Sequence, residues 1–170
     1  MDNLSVWIEG RFFVKTLLTD EWELQFPIIG APVTGVGGGR LAVAISEAGG
    51  LGIIGMGSTA TAAWVAKESF LVRRAGTFRV GLMVWALAAH PDLFDAGLET
   101  HPFIISLSFG DPGPYVNRCH DAGIKVATQV HTRNEALIAA SAGVDLIVVQ
   151  GTKPVATREP SVPYPSYRTC

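Results

Sequence analysis

Short apolar runs of strand length recur along the chain at Pro27–Ala31, Leu51–Gly55, Arg79–Val84, Phe103–Leu107, Lys125–Val130 and Asp145–Val149. Their near-continuous apolar character predicts strands buried on both faces. Between them, Arg40–Glu47, Thr61–Arg73, Pro91–Leu98, Pro114–Asp121 and Arg133–Ser141 place apolar residues at helical spacing. Strict alternation of strand and helix predicts a parallel sheet joined by right-handed crossovers. Glycines mark the helix ends: Gly49 and Gly50 follow the first helix, Gly123 the fourth and Gly143 the fifth. Each suits a left-handed C-terminal cap.

Six strand-helix units fit a (β/α)₈ barrel of the TIM type that lacks its last two units. They fit an open doubly wound sheet as well, and periodicity does not separate the two. The first 20 residues, with Phe12, Phe13, Leu17 and Leu18, match neither kind of unit and are read as an N-terminal extension with a short helix over the barrel base. Residues 21–151 then form a partial barrel, and 152–170 a polar, proline-containing tail.

Composition narrows the function classes. A chain of 170 residues with 48% hydrophobic and 16% charged residues has enough apolar material for one domain with a sizeable core. A net charge of −2, from 13 basic and 15 acidic residues spread along the chain, leaves no basic stripe for a nucleic-acid backbone or an anionic membrane. The expected partner is a small molecule. Met1–Trp7 lacks the blocks of a signal peptide, and no apolar stretch approaches the roughly 20 residues of a membrane helix, so a cytoplasmic location is expected. Cys119 and Cys170 suggest neither a disulfide framework nor a metal site.

Two segments carry the more specific signals. Phe26-Pro27-Ile28-Ile29-Gly30-Ala31-Pro32-Val33 runs a strand into a Gly-rich loop, where the backbone can approach a flat ligand. Gly37-Gly38-Gly39 is not a GxGxxG fingerprint and carries no phosphate-binding lysine, so taken alone the segment reads as a strand and a turn. The run Leu41-Ala42-Val43-Ala44-Ile45-Ser46-Glu47-Ala48-Gly49-Gly50-Leu51-Gly52 adds a second signature. Together the two resemble the nitronate monooxygenase family, whose members are FMN-dependent TIM barrels.

The resemblance extends over about Leu18 to Thr152. In that family the first strand ends in an Ala-Pro-Met-like turn under the flavin; here Ala31 and Pro32 match and Val33 replaces Met. The third strand, Val80-Gly81-Leu82-Met83-Val84, puts Met83 where many members carry an Asn beside the flavin. A thioether supplies no amide, although it still packs against a ring edge, and a plain core role fits Met83 equally. Ser106-Leu107-Ser108-Phe109-Gly110 is similar to the family's turn after the fourth strand, and Ala127-Thr128-Gln129-Val130 stands in the fifth. Val148-Val149-Gln150-Gly151 is similar to the family's Val-Val-Ala-Gln-Gly, whose Gln contacts the flavin. The resemblance therefore implies Ala31, Pro32, Val33, Met83, Gln129, Gln150 and Gly151 as FMN contacts, and no metal.

It does not supply a catalytic residue. His90, His101 and His120 fall on helices or helix edges, away from strand C-termini. His131 follows the fifth strand but reads as a loop residue capping the next helix. The family's base lies in a Glu-Ala-Gly-Gly-His segment just after Gln-Gly; here Thr152-Lys153-Pro154-Val155-Ala156-Thr157 follows instead. A single inserted G after the codon for Thr152 lets compatible codons be reread as Glu-Ala-Gly-Gly-His, so the tail is expected to be a frameshift product, with a natural polar tail as the plain alternative. Loss of the last two units leaves sheet edges open, and self-association and weak FMN binding are expected. The resemblance implies oxidation of alkyl nitronates by FMN and molecular oxygen in the intact parent. The alternatives are a non-catalytic fragment, and another FMN oxidoreductase such as an enoyl reductase.

Overall fold

The computed structural model describes residues 5–8, 11–73 and 78–151, so the expected polar tail at 152–170 lies outside the described residues. The first described elements are two antiparallel strands, β1 (Ser5–Ile8) paired with β2 (Arg11–Val14). The strand-helix repeat predicts no strand here, although Phe12-Phe13-Val14 is an aromatic and β-branched run of the kind that suits one. A short helix follows, α1 (Leu17–Trp22), opened by a capping box between Thr16 and Thr19.

Five parallel strands make the main sheet: β3 (Ile53–Met56), β4 (Arg79–Met83), β5 (Ile104–Ser108), β6 (Lys125–Val130) and β7 (Leu146–Val149). They lie in chain order, β3-β4-β5-β6-β7, each hydrogen-bonded to the next. A doubly wound sheet reverses its strand order at a switch point. The unbroken order here is that of a (β/α)₈ barrel, and the molecule is part of one. The crossovers carry α2 (Gly39–Glu47), α3 (Ala62–Arg73), the single turn α4 (Val84–Leu87), α5 (Asp92–Glu99), α6 (Gly113–Asp121) and α7 (Arg133–Ser141). Val84, expected to end a strand, starts α4 instead.

The strand expected at Pro27–Ala31 is reduced to one parallel bridge, Ile29 with Leu51. Leu51 N–H donates to the Ile28 carbonyl and Gly30 N–H to the Leu51 carbonyl, each at 2.9 Å. Pro27 and Pro32 bracket this pairing and have no N–H to extend it. Gly49, Gly123 and Gly143 all adopt positive φ, at 90°, 71° and 87°, closing α2, α6 and α7 as expected.

Alternation along the strands sorts their side chains between two faces. Ile54, Met56, Val80, Leu82, Ile105, Leu107 and Val126 point outward and pack under Val65, Val72, Leu93, Phe94, Val116 and Cys119 of the helices. Gly55, Gly81, Met83, Ser106, Ser108, Ala127 and Gln129 occupy the alternate, inner positions.

The start of α2 is capped from another helix. Its N-cap, Gly38, has no side chain to offer, and Gly39 N–H donates to Glu68 Oε2 of α3 at 2.7 Å. A carboxylate there meets both the free N–H and the positive end of the helix. Glu68→Ala is expected to cost about 1 kcal/mol, read as a lower urea midpoint at unchanged slope. The same carboxylate fills the place a phosphate would need, which agrees with reading Gly37-Gly38-Gly39 as no phosphate loop.

Candidate functional site

In a parallel barrel, chemistry collects where the strands end. β4 delivers Met83 to that end of the inner face, and β5 delivers Ser106 and Ser108, whose hydroxyls lie 3.4 Å apart. The register pairs Met83 with Ser108 and Ser106 with Ala127, so Gln129 stands level with Ser108 on the next strand. Gln150 directly follows β7. Gln129 Nε2 donates to Gln150 Oε1, and both side chains are half-buried.

The loop leaving the first pairing lies against the same face. A Cβ on Gly81 would overlap the Pro32 ring, 2.8 Å from its Cγ. A Cβ on Gly55 would sit 2.8 Å from the Val33 backbone. Gly55 and Gly81 are register partners, so two adjacent side-chain-free positions admit the Ala31-Pro32-Val33 segment. Gly55 N–H also donates to the Gly37 carbonyl at 2.7 Å, tying the loop to β3.

The structure thus brings Pro32 against β4, and Gln129 against Gln150. Ala31 and Gly151 are exposed, and Val33 keeps 47% of its surface in solvent. Met83 is half-buried on the inner face. Phe109, just past β5, holds φ at 62°, a left-handed conformation uncommon for a bulky residue, and so marks the Ser-Phe-Gly turn as backbone that its surroundings constrain.

No histidine joins this group. His131 is exposed and does not cap the next helix as expected: Thr132 is the N-cap, its hydroxyl accepting from Glu135 N–H, and His131 contributes only its backbone N–H, which donates to Glu135 Oε2 at 2.7 Å. His120 Nε2 meets Asp145 Oδ2 at 3.0 Å, and that same oxygen accepts from Val126 N–H, so the pair ties α6 to the start of β7. Burial pushes the Cys119 thiol up to about 11, leaving it protonated at neutral pH. Among the described residues no group of three or more His, Cys, Asp or Glu side chains is arranged to hold a metal ion. No helix among them is long and apolar enough to cross a membrane.

An open depression of about 360 Å³ lies at the other end of the strands, lined by Trp22, Glu23, Gln25, Ser46, Glu47 and Leu51 among others. It borders the residues that enter β3, away from the strand C-termini.

Residues 4–158 match the model of the IMP dehydrogenase / GMP reductase domain. The chain belongs to that family. Among solved structures, this IMP dehydrogenase / GMP reductase-type domain is similar to FabK from Thermotoga maritima, with TM-score 0.72 and 29% identity over 80% of this chain and 44% of that one. It is also similar to nitroalkane oxidase from Streptomyces ansochromogenes, with TM-score 0.63 and 25% identity over 79% of this chain and 48% of that one. The enoyl reductase domain of MlnA from Bacillus amyloliquefaciens shares the fold alone, with TM-score 0.57 and 11% identity over 72% of this chain and 32% of that one. The chain spans less than half the length of each of these structures. No curated protein matches it.

Proposed function

We propose that this chain is part of a flavin-dependent oxidoreductase barrel whose intact form oxidises alkyl nitronates in the cytoplasm, with FMN and molecular oxygen. The observation that carries the reading is the Gln129–Gln150 carboxamide pair at the C-terminal ends of adjacent strands. A carboxamide donates and accepts at once. Two of them, with the Ser106 and Ser108 hydroxyls on the neighbouring strand, suit a flat ring edged with alternating carbonyl and N–H groups, which is what an isoalloxazine presents.

Residues 21–151 supply this ring end. The donor set fits the ring and not the phosphate: no Lys or Arg stands on the inner face at the strand C-termini among the described residues. Ala31, Pro32, Val33, Met83, Gln129, Gln150 and Gly151 would seat the ring, which when bound carries the redox chemistry. The likeness to a nitroalkane oxidase supports the substrate class. Without a base among them, these residues suit a nitronate, which is already deprotonated, rather than a neutral nitroalkane. The edge of β7 leaves Val148 and Val149 exposed by 42% and 76%, and self-association through it belongs to the same reading.

The test is titration of FMN and of lumiflavin, which has no phosphate, into the 170-residue chain, followed by flavin fluorescence. Both ligands are expected to saturate with similar affinity, and Gln150→Leu to weaken each by about tenfold, the worth of one hydrogen bond. Absence of a saturable change with either ligand overturns the reading. Oxygen consumption with an alkyl nitronate such as propyl nitronate is the activity expected of the intact form. A second reading retains the flavin and changes the reaction to that of an enoyl reductase; the likeness to FabK, stronger than that to nitroalkane oxidase, supports it, and nicotinamide-dependent flavin reduction identifies it.

A further inference from the structure

The far end of the strands holds a cluster with no part in the flavin seat. Trp22 of α1 closes it. The Arg79 guanidinium lies 4.0 Å from the Trp22 ring centroid, Phe103 meets the ring edge-on at 5.6 Å and 79°, and Lys125 Nζ lies 5.9 Å away. The register sets Arg79, Ile104 and Lys125 side by side as the first residues of β4, β5 and β6. Alternation turns all three to the inner face, opposite Val80, Ile105 and Val126.

Arg79 is 1% exposed, and its Nε and Nη2 are buried with no hydrogen-bond partner. The indole Nε1 of Trp22 is buried and unpartnered as well. Among the described residues no carboxylate pairs with Arg79 or Lys125. Burial pushes the guanidinium down to about 9, so it stays charged at neutral pH.

Stacking on Trp22 satisfies the face of the guanidinium and none of its N–H groups. Unmade hydrogen bonds of a buried charge are expensive, and each such group calls for an acceptor. The two orphaned nitrogens are not a random pair. Nε–H and Nη2–H form the side-on edge of arginine, two parallel donors spaced to meet the two oxygens of one carboxylate. A water molecule would take these donors one at a time and leave the charge unbalanced. Trp22 Nε1–H adds a third donor, and Lys125 a second positive charge beside it.

We propose that Arg79 and Trp22, with Lys125 alongside, form a carboxylate-binding site at the base of the barrel, at the opposite end from the flavin seat. Two sources share that chemistry: a free small carboxylate, and a side-chain carboxylate of this chain outside the described residues, at Asp2, Glu9 or Glu159.

The chain carries four tryptophans, so indole-¹⁵N labelling gives four resolved N–H signals, with that of Trp22 assigned by its absence in Trp22→Phe. Sodium formate is titrated at constant ionic strength against sodium chloride. For a free ligand, the Trp22 signal shifts and saturates in the millimolar range, Arg79→Met abolishes the response, and Arg79→Lys weakens it by about tenfold because the two-donor edge is lost. Arg79→Met counts only if the other three indole signals keep their positions, which shows that the fold survives. For a carboxylate of the chain, formate leaves the wild-type signal unmoved. One of Asp2→Asn, Glu9→Gln or Glu159→Gln then shifts it and opens the site to formate. A Trp22 signal that ignores formate in the wild type and in all three of those variants overturns the proposal, as does an equal response to chloride.

Discussion

Gly52→Ala is expected to cost about 3 kcal/mol, the upper end of what overpacking a filled site costs. A Cβ at Gly52 would overlap the carbonyl of Ala42 and lie 2.6 Å from its Cα, all of it backbone of α2 and none of it a movable side chain. Gly52 N–H also donates to Ser46 Oγ at 3.2 Å, so the helix is held against this point from two positions. For the new methyl group to fit, α2 must lift off the entry to β3, uncovering Leu51 and Ile54, which are 1% and 0% exposed. Gly97→Ala is the control. A Cβ there meets its nearest neighbour, Leu82 Cδ1, at 3.5 Å, an ordinary contact, and removing a glycine from within α5 is expected to stabilise by about 0.5–1 kcal/mol. Urea denaturation of the two variants gives midpoints displaced in opposite directions; a Gly52→Ala midpoint equal to the wild type would show that α2 is not seated on the strand.

That contact explains why the segment Leu41–Gly52 is legible in the amino-acid sequence alone. A run that alternates small residues through a helix and ends Gly-Gly-Leu-Gly is what a helix packed backbone to backbone on its own strand requires, so the pattern reports packing and the resemblance built on it reports fold. Helix positions are legible for the same reason: apolar spacing and terminal glycines place α2, α3, α5, α6 and α7 to within a residue or so. The first strand is not legible as it stands, because its apolar run gives no measure of how far two flanking prolines shorten a ladder. The pairing of β1 with β2 escapes the same reasoning because it does not belong to the strand-helix repeat that organises the described residues after it.

At the site, the sequence names positions but not partnerships. Gln129 and Gln150 stand out singly, and only the parallel register of β6 and β7 shows that their amides meet. Pro32 is expected to face a ligand, whereas its nearest tie is to the missing side chain of Gly81, so part of the Ala-Pro motif serves to seat the loop. Arg79 carries no signal of its own. A single charged residue opening an apolar strand reads as a solvated strand end, and nothing in the sequence says that a tryptophan more than fifty positions earlier will cover it.

The largest single loss is expected from Phe94→Ala, about 3–5 kcal/mol for an aromatic side chain removed from a packed core. Phe94 is 1% exposed, its ring lies 4.8 Å from that of Tyr115 at 57°, and the Arg118 guanidinium lies 4.8 Å above it. It joins α5 and α6 over the outer face of the sheet, where Leu82 and Leu107 point. Arg118 also pairs with Asp95 at 2.6 Å, but both side chains are more than half exposed, so that pair contributes little. Arg118→Met should therefore cost under about 1 kcal/mol, the scale of an exposed pair and a partly wet cation–π contact. The contrast between the two variants separates the buried ring from the charge above it. A domain of ordinary stability holds only about 5–15 kcal/mol in reserve. Phe94→Ala is thus expected to melt well below the wild type and to populate the unfolded chain at ambient temperature, seen by circular dichroism. If it instead melts alongside Arg118→Met, the joint between α5 and α6 does not hold the outer layer on the sheet.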